Sequence, residues 1–173
     1  MGFVAAILAA AGALAFWMYR ARDVADASHG MLDIAQDARS AIRRFGYRRK
    51  KNVNPLDDVD DPRLAAAGIL AATARLDGDY TREQLDRISR ECLETFEVSQ
   101  AEAEDMTAFG RWLAQHGEPE EVVRRLGRNL RATLGDDQRT ALHAMISRVA
   151  AVEGGAPSER QEEVRDMLER LWR

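Results

Sequence analysis

From residue 62 onward the apolar positions recur every three or four residues, and short polar turns interrupt them. That is the period of helices packed on one face; the strict alternation of a half-buried strand does not occur. The first stretch of the series, "LAAAGILAATA" at 64–74, carries no charge, which predicts the buried centre of a bundle. Asp61 before Pro62 reads as its N-cap, with proline where the first N–H needs no partner. Gly78 is expected to end it at the C′ position. Thr81 with Gln84 spells a capping box for a second helix striped by Leu85, Ile88, Leu93 and Phe96. Ser99 with Glu102 opens a third, carrying Met106, Phe109 and Leu113 as far as Gly117. Val122, Leu126, Leu130 and Leu134 stripe a fourth, closed by Gly135. Asp136 is expected to cap a fifth, with Leu142, Met145, Ile146 and Val149, and Ser158 with Gln161 to cap a sixth, with Val164, Met167, Leu168 and Leu171. The expectation is an all-α fold, a six-helix bundle over residues 62–173 with short connections.

The pattern ahead of the bundle is different. "GFVAAILAAAGALAFWMY" at 2–19 is eighteen residues without a charge, about 27 Å of helix against a hydrocarbon core of about 30 Å. Trp17 and Tyr19 stand at one end, where aromatic side chains favour the membrane interface, and Arg20 and Arg22 follow. Residues 1–20 therefore read as a single-pass transmembrane anchor in an inner (plasma) membrane, N-terminus out and the rest cytoplasmic. A cleaved signal peptide is the alternative, but the basic n-region that one needs is absent. Residues 21–61 read as an amphipathic connecting helix followed by a linker. Val24, Met31, Ala38 and Phe45 repeat every seven, a sparse heptad seam that serves either self-association or packing on the chain's own domain. "RRFGYRRKK" then sets Arg43, Arg44, Arg48, Arg49, Lys50 and Lys51 together with no acid between them. Such a knot suits anionic lipid head groups or an acidic protein partner, or is a solvated linker; with no recognition motif it makes nucleic acid an unlikely partner. "NVNPLDDVDDP" reverses the charge and marks the expected domain boundary at 61/62.

Charge sharpens this division. Residues 1–56 hold nine Lys/Arg and four Asp, and the remainder sixteen basic and twenty-five acidic residues, so a net +5 precedes a net −9. One cysteine, Cys92, excludes an intrachain disulfide and a Cys-rich metal site. There is no Gly-rich phosphate loop, no His pair at ligand spacing and no recognisable Ser/His/Asp set, which points away from an enzyme. "DDVDD" at 57–61 lacks the glycine and spacing of an EF-hand loop.

The first two and the last two helices read as one helix-corner-helix unit used twice: "ILAATARLDGDYTREQLDRI" aligns with "AMISRVAAVEGGAPSERQEEV" once one residue is inserted in the second corner. An Ala-rich helix, an acid-Gly corner, a capped helix start with an acid, and a second such hairpin over 64–172 resemble the TerB-like family, helical domains associated with tellurite resistance and envelope stress. With an anchor in front, the arrangement is also similar to the TerB-like part of membrane-bound DnaJ-like co-chaperones. No His-Pro-Asp occurs, because His29 and His116 precede Gly and His143 precedes Ala, so co-chaperone activity is not implied. What the resemblance implies is a non-enzymatic interaction or scaffold module that partners membrane proteins, or, alternatively, a divalent-cation sensor or buffer of the same fold. The positions matching the family's acidic motif are Asp77 and Glu83 in the first hairpin and Glu153 and Glu159 in the second. The chain departs from the pattern at Leu76 and in having Glu rather than Asp at 153.

These corners pose a problem of their own. Asp77 and Glu153 are expected in the last turn of a helix, where the macrodipole disfavours anions. Either a local group offsets each one, the N–H groups of the next helix or a nearby Arg (Arg75, Arg82, Arg148 or Arg160), or a divalent cation does. For the cation, Asp77, Asp79 and Glu83 would supply oxygens in one hairpin, joined by Glu153 and Glu159 if the two corners meet.

Overall fold

The computed structural model describes residues 43–45, 47, 53–153 and 156–173. The chain forms two compact units, Met1–Gln36 and Asp37–Arg173. The first lies outside the described residues, and with it the expected anchor at 1–20 and most of the heptad seam. Among the described residues no helix is long and apolar enough to cross a membrane.

The second unit is all-helical in its described residues. Six helices follow a short 3₁₀ turn at Pro55–Asp57: α1 (Pro62–Ala74), α2 (Arg82–Phe96), α3 (Gln100–Ala114), α4 (Pro119–Arg131), α5 (Asp136–Ala150) and α6 (Glu159–Trp172). The uncharged α1 is the central rod, buried from Leu64 to Ala74 and packed by α2, α3, α4 and α5. Its small side chains let neighbours come close. A Cβ added at Gly110 of α3 would stand 2.5 Å from the Ala67 carbonyl oxygen, so glycine there is a packing requirement. The last helix is latched by its terminal residue: the buried Trp172 donates from Nε1 to the Gly127 carbonyl of α4 at 2.9 Å, and His143 of α5 meets its ring edge-on at 5.1 Å.

Two local expectations about helix ends are corrected, and the segment ahead of α1 proves to be packed. Gly78 does not cap α1; Arg75 does, in the αR conformation, and tight bonds from Arg75 to Ala72 and from Leu76 to Thr73 close the end. Gly78 instead turns the corner at φ +150°, a value that side chains rarely tolerate. The cap of α5 is Gly135, not Asp136, and the Gln138 side chain accepts from the Gly135 N–H. The boundary expected at 61/62 falls inside the compact unit. Leu56 is fully buried and Val59 nearly so, the Leu56 carbonyl accepts from Asn129, and Asp57 pairs with Arg125 at 2.8 Å. Apolar side chains in an acidic run bring that "linker" onto α4.

Candidate functional site

The two corners do meet. Asp77, Gly78, Asp79 and Gln84 of the first hairpin line one cavity of about 290 Å³ with Ala150, Ala156, Ser158 and Gln161 of the second. Each capping box closes in full. Thr81 accepts from Gln84 N–H while the Gln84 side chain accepts from Thr81 N–H, and Ser158 and Gln161 do the same. Both glutamines are buried, and with Ser158 they line the cavity as well as starting their helices.

Asp77 is not in a helix's last turn. It lies beyond the Arg75 cap and is exposed, where the macrodipole penalty has largely faded. The group that meets the end of α1 is Arg160, one of the four arginines anticipated. Its guanidinium donates to the Leu76 carbonyl and to the Glu120 carboxylate at the start of α4. The bond to Glu120 is the main reason its pKa is raised, and the charges of Asp77 and Glu118 add to it. One cation thus joins the end of α1, the start of α4 and the start of α6. Arg75 does the same kind of work elsewhere, donating to the Ala114 carbonyl at the end of α3, 2.6 Å away.

Two further acids of the proposed cation set, Glu83 and Glu159, are not gathered with these. Glu83 and Glu159 are exposed on the first turns of α2 and α6 and do not line the cavity, and the side chain of Glu153 lies outside the described residues. The second corner begins differently from the first: α5 ends at Ala150 and a 3₁₀ turn, Ala151–Glu153, follows. Among the described residues no three His, Cys, Asp or Glu side chains are grouped so as to hold a metal.

Of the basic knot, Arg43 is exposed and Arg44 pairs with Asp105 of α3 at 2.5 Å. Arg48, Arg49, Lys50 and Lys51 lie outside the described residues. Beside Arg44, Tyr47 sets its ring edge-on against Phe109 and Trp112, at 5.3 and 5.7 Å between centroids. His116 extends the aromatic row, 4.5 Å from Trp112, and donates from Nδ1 to the Trp112 carbonyl, as expected of a histidine near a helix C-terminus. Arg44 and Tyr47, the described start of this stretch, are thus seated on α3.

One charged cluster was not anticipated. Glu91 of α2 is fully buried, receives two hydrogen bonds from Arg148 of α5, at 2.7 and 2.6 Å, and forms an ion pair with Arg87 at 2.6 Å. The Glu91 carboxylate is the chief cause of the raised Arg148 pKa. The signal was in the sequence: Glu91 stands three residues after Ile88 and beside Cys92, on the apolar stripe of its helix. Arg148 had been considered for the corner, but it serves this clamp between the two hairpins instead. Cys92, next to Glu91, is a buried free thiol whose pKa burial pushes up to about 12, which makes it a packing residue.

No protein-family model, no curated protein and no solved structure matches the chain.

Proposed function

We propose that the chain is a membrane-anchored, non-enzymatic interaction module of TerB-like type, a scaffold or stress-linked adaptor of the bacterial inner membrane with its bundle in the cytoplasm. The observation that carries the module reading is the convergence of the two alike hairpin corners, each with a closed Ser/Thr–Gln capping box, on one cavity. A helix-corner-helix unit used twice is the feature on which the resemblance rests. The anchor rests on the charge-free run at 2–19, and the orientation on Arg20 and Arg22 behind it. Fusions after Arg173 test the topology: a phosphatase should be inactive there and a fluorescent protein bright. A periplasmically active phosphatase overturns the orientation. Purification of the intact chain in mild detergent should bring down a membrane protein in fixed ratio, whereas a chain recovered alone overturns the adaptor role.

The second reading is a divalent-cation sensor or buffer, and the placement of Asp77 and Asp79 on the shared cavity favours it. Hard cations take oxygen ligands, six to eight for Ca²⁺. A melting temperature that rises with Ca²⁺, Mg²⁺ or Mn²⁺ and no longer does so in Asp77→Asn supports this reading. Stability indifferent to both cation and chelator removes it.

A further inference from the structure

The outer face of α4 carries charge that the bundle does not answer. Arg124, Arg128 and Arg131 are all exposed there, and their i, i+4, i+7 spacing sets them along one ridge about 10 Å long. None of the three side chains has a hydrogen-bond or ion-pair partner among the described residues, whereas Arg125, next to Arg124, is held by both Asp57 and Glu121. The two glutamates of α4 are engaged, Glu121 by Arg125 and Glu120 by Arg160. Like charges at this spacing repel one another. The macrodipole favours Arg128 and Arg131 in the last turns, but Arg124 stands mid-helix. With four arginines against two glutamates, α4 is the most positive of the six helices, in a stretch, 57–173, of net −9. Both flanks of the ridge are taken. Gly127 packs against Leu168 and Leu171 of α6, and on the other side Arg125 and Asn129 hold the Pro55–Asp57 turn. The ridge is thus the open side of its helix.

We propose that the arginine ridge of α4 is a docking surface for the anionic head groups of a lipid bilayer, so that the bundle lies on the membrane through α4. This rests on the anchored reading above, which keeps the bundle within reach of a bilayer. Charge complementarity selects the occupant. A negative surface repels the acidic faces of a body of net −9 and draws its basic ridge inward. The guanidinium fork also matches phosphate oxygens in pairs. The rest of α4 fits other polyanions less well. It has no aromatic side chain on which a nucleic-acid base stacks, and its valines and leucines are buried, which leaves no apolar anchor for an acidic protein.

The full-length chain reconstituted in lipid nanodiscs tests this, read by energy transfer from a dye on the protein to an acceptor on the lipid head groups. Ala132→Cys places the dye just past Arg131, and Glu94→Cys places it on α2 as a reference; both positions are exposed, while the native Cys92 is buried and stays unlabelled. Transfer from 132 should be greater in discs containing phosphatidylglycerol than in phosphatidylcholine alone, and should fall as salt is added. The response at 94 should be smaller. Arg124→Gln, Arg128→Gln and Arg131→Gln should each shift the balance of docked to free bundle about fivefold, and together about a hundredfold, with unchanged circular dichroism. The same three positions changed to lysine should keep most of the response. Equal transfer in the two kinds of disc, an equal response at 94 and 132, or an undiminished response in the triple glutamine variant overturns the proposal. So does capture of an RNA oligonucleotide or an acidic protein by the ridge without any lipid response. A chain that elutes apart from the discs defeats the anchor instead. The ridge is then read from co-sedimentation of the same chain with phosphatidylglycerol vesicles, which supports the proposal if it occurs and overturns it if it does not.

Discussion

At the scale of single residues, close approach and buried charge are the sensitive points. Gly110 faces the Ala67 carbonyl at a distance no side chain can share, and backbone cannot step aside as a flexible side chain can. Gly110→Ala should therefore destabilise the bundle by about 1–3 kcal/mol, read as a lower urea midpoint with unchanged slope. The Glu91 clamp makes an asymmetric prediction. Arg148→Met leaves a fully buried carboxylate with Arg87 as its one remaining salt-bridge partner among the described residues, and should cost about 3 kcal/mol. Converting both partners, Glu91→Met with Arg148→Met, removes the stranded charge and should recover most of that loss. Equal losses in the single and double variants would show that packing, and not the charge, decides. The acid on an apolar stripe was visible in the chain, but which arginine answers it was not. Arg148 is 57 residues away, and only the packing of α5 on α2 brings them together.

At the scale of elements, the helix starts were the most legible features and the helix ends the least. Asn, Asp, Ser and Thr caps act within three residues of themselves, so Asp61, Thr81, Ser99 and Ser158 could be placed from sequence. Ends depend on what can receive the last carbonyls. At α1 that is Arg160, 84 residues on, and at α3 it is Arg75, 39 residues back. Because the Ser158 box also lines the shared cavity, Ser158→Ala should do more than lower the melting point by the roughly 1 kcal/mol of a lost cap. It should also raise amide exchange in the first turn of α6 and across the Asp77–Asp79 corner, measurable by hydrogen exchange and mass spectrometry. Exchange confined to α6 would mean that the corners do not support one another.

At the scale of the whole molecule, the C-terminal latch makes stability depend on pH. Burial holds the His143 pKa below 6.5, with Glu169 opposing the shift and Arg165 adding to it. A base whose folded pKa is depressed binds fewer protons folded than unfolded below the ordinary value. Its contribution is therefore intact above about pH 6.5 and is lost as pH falls through the lower folded value. Melting temperature should fall on acidification across that window, and His143→Phe, which keeps the ring beside Trp172, should flatten the fall. An unchanged slope would move the effect to the carboxylates.

What the chain alone determined about this protein follows from interactions of short range. Helical period, the uncharged centre at 64–74, the capping boxes and the two like corners are all written within a few residues of one another, and an all-α bundle follows from them. Tertiary structure decided what long-range contact decides. It set both corners on one cavity, gave Arg160 to the end of α1, and brought Arg44 of the basic knot against Asp105 of α3. It also drew Leu56 and Val59 out of an apparent linker into the core. A charge or a methyl group has no partner until the backbone brings one within a few ångströms. The sequence names the groups, and packing chooses among them.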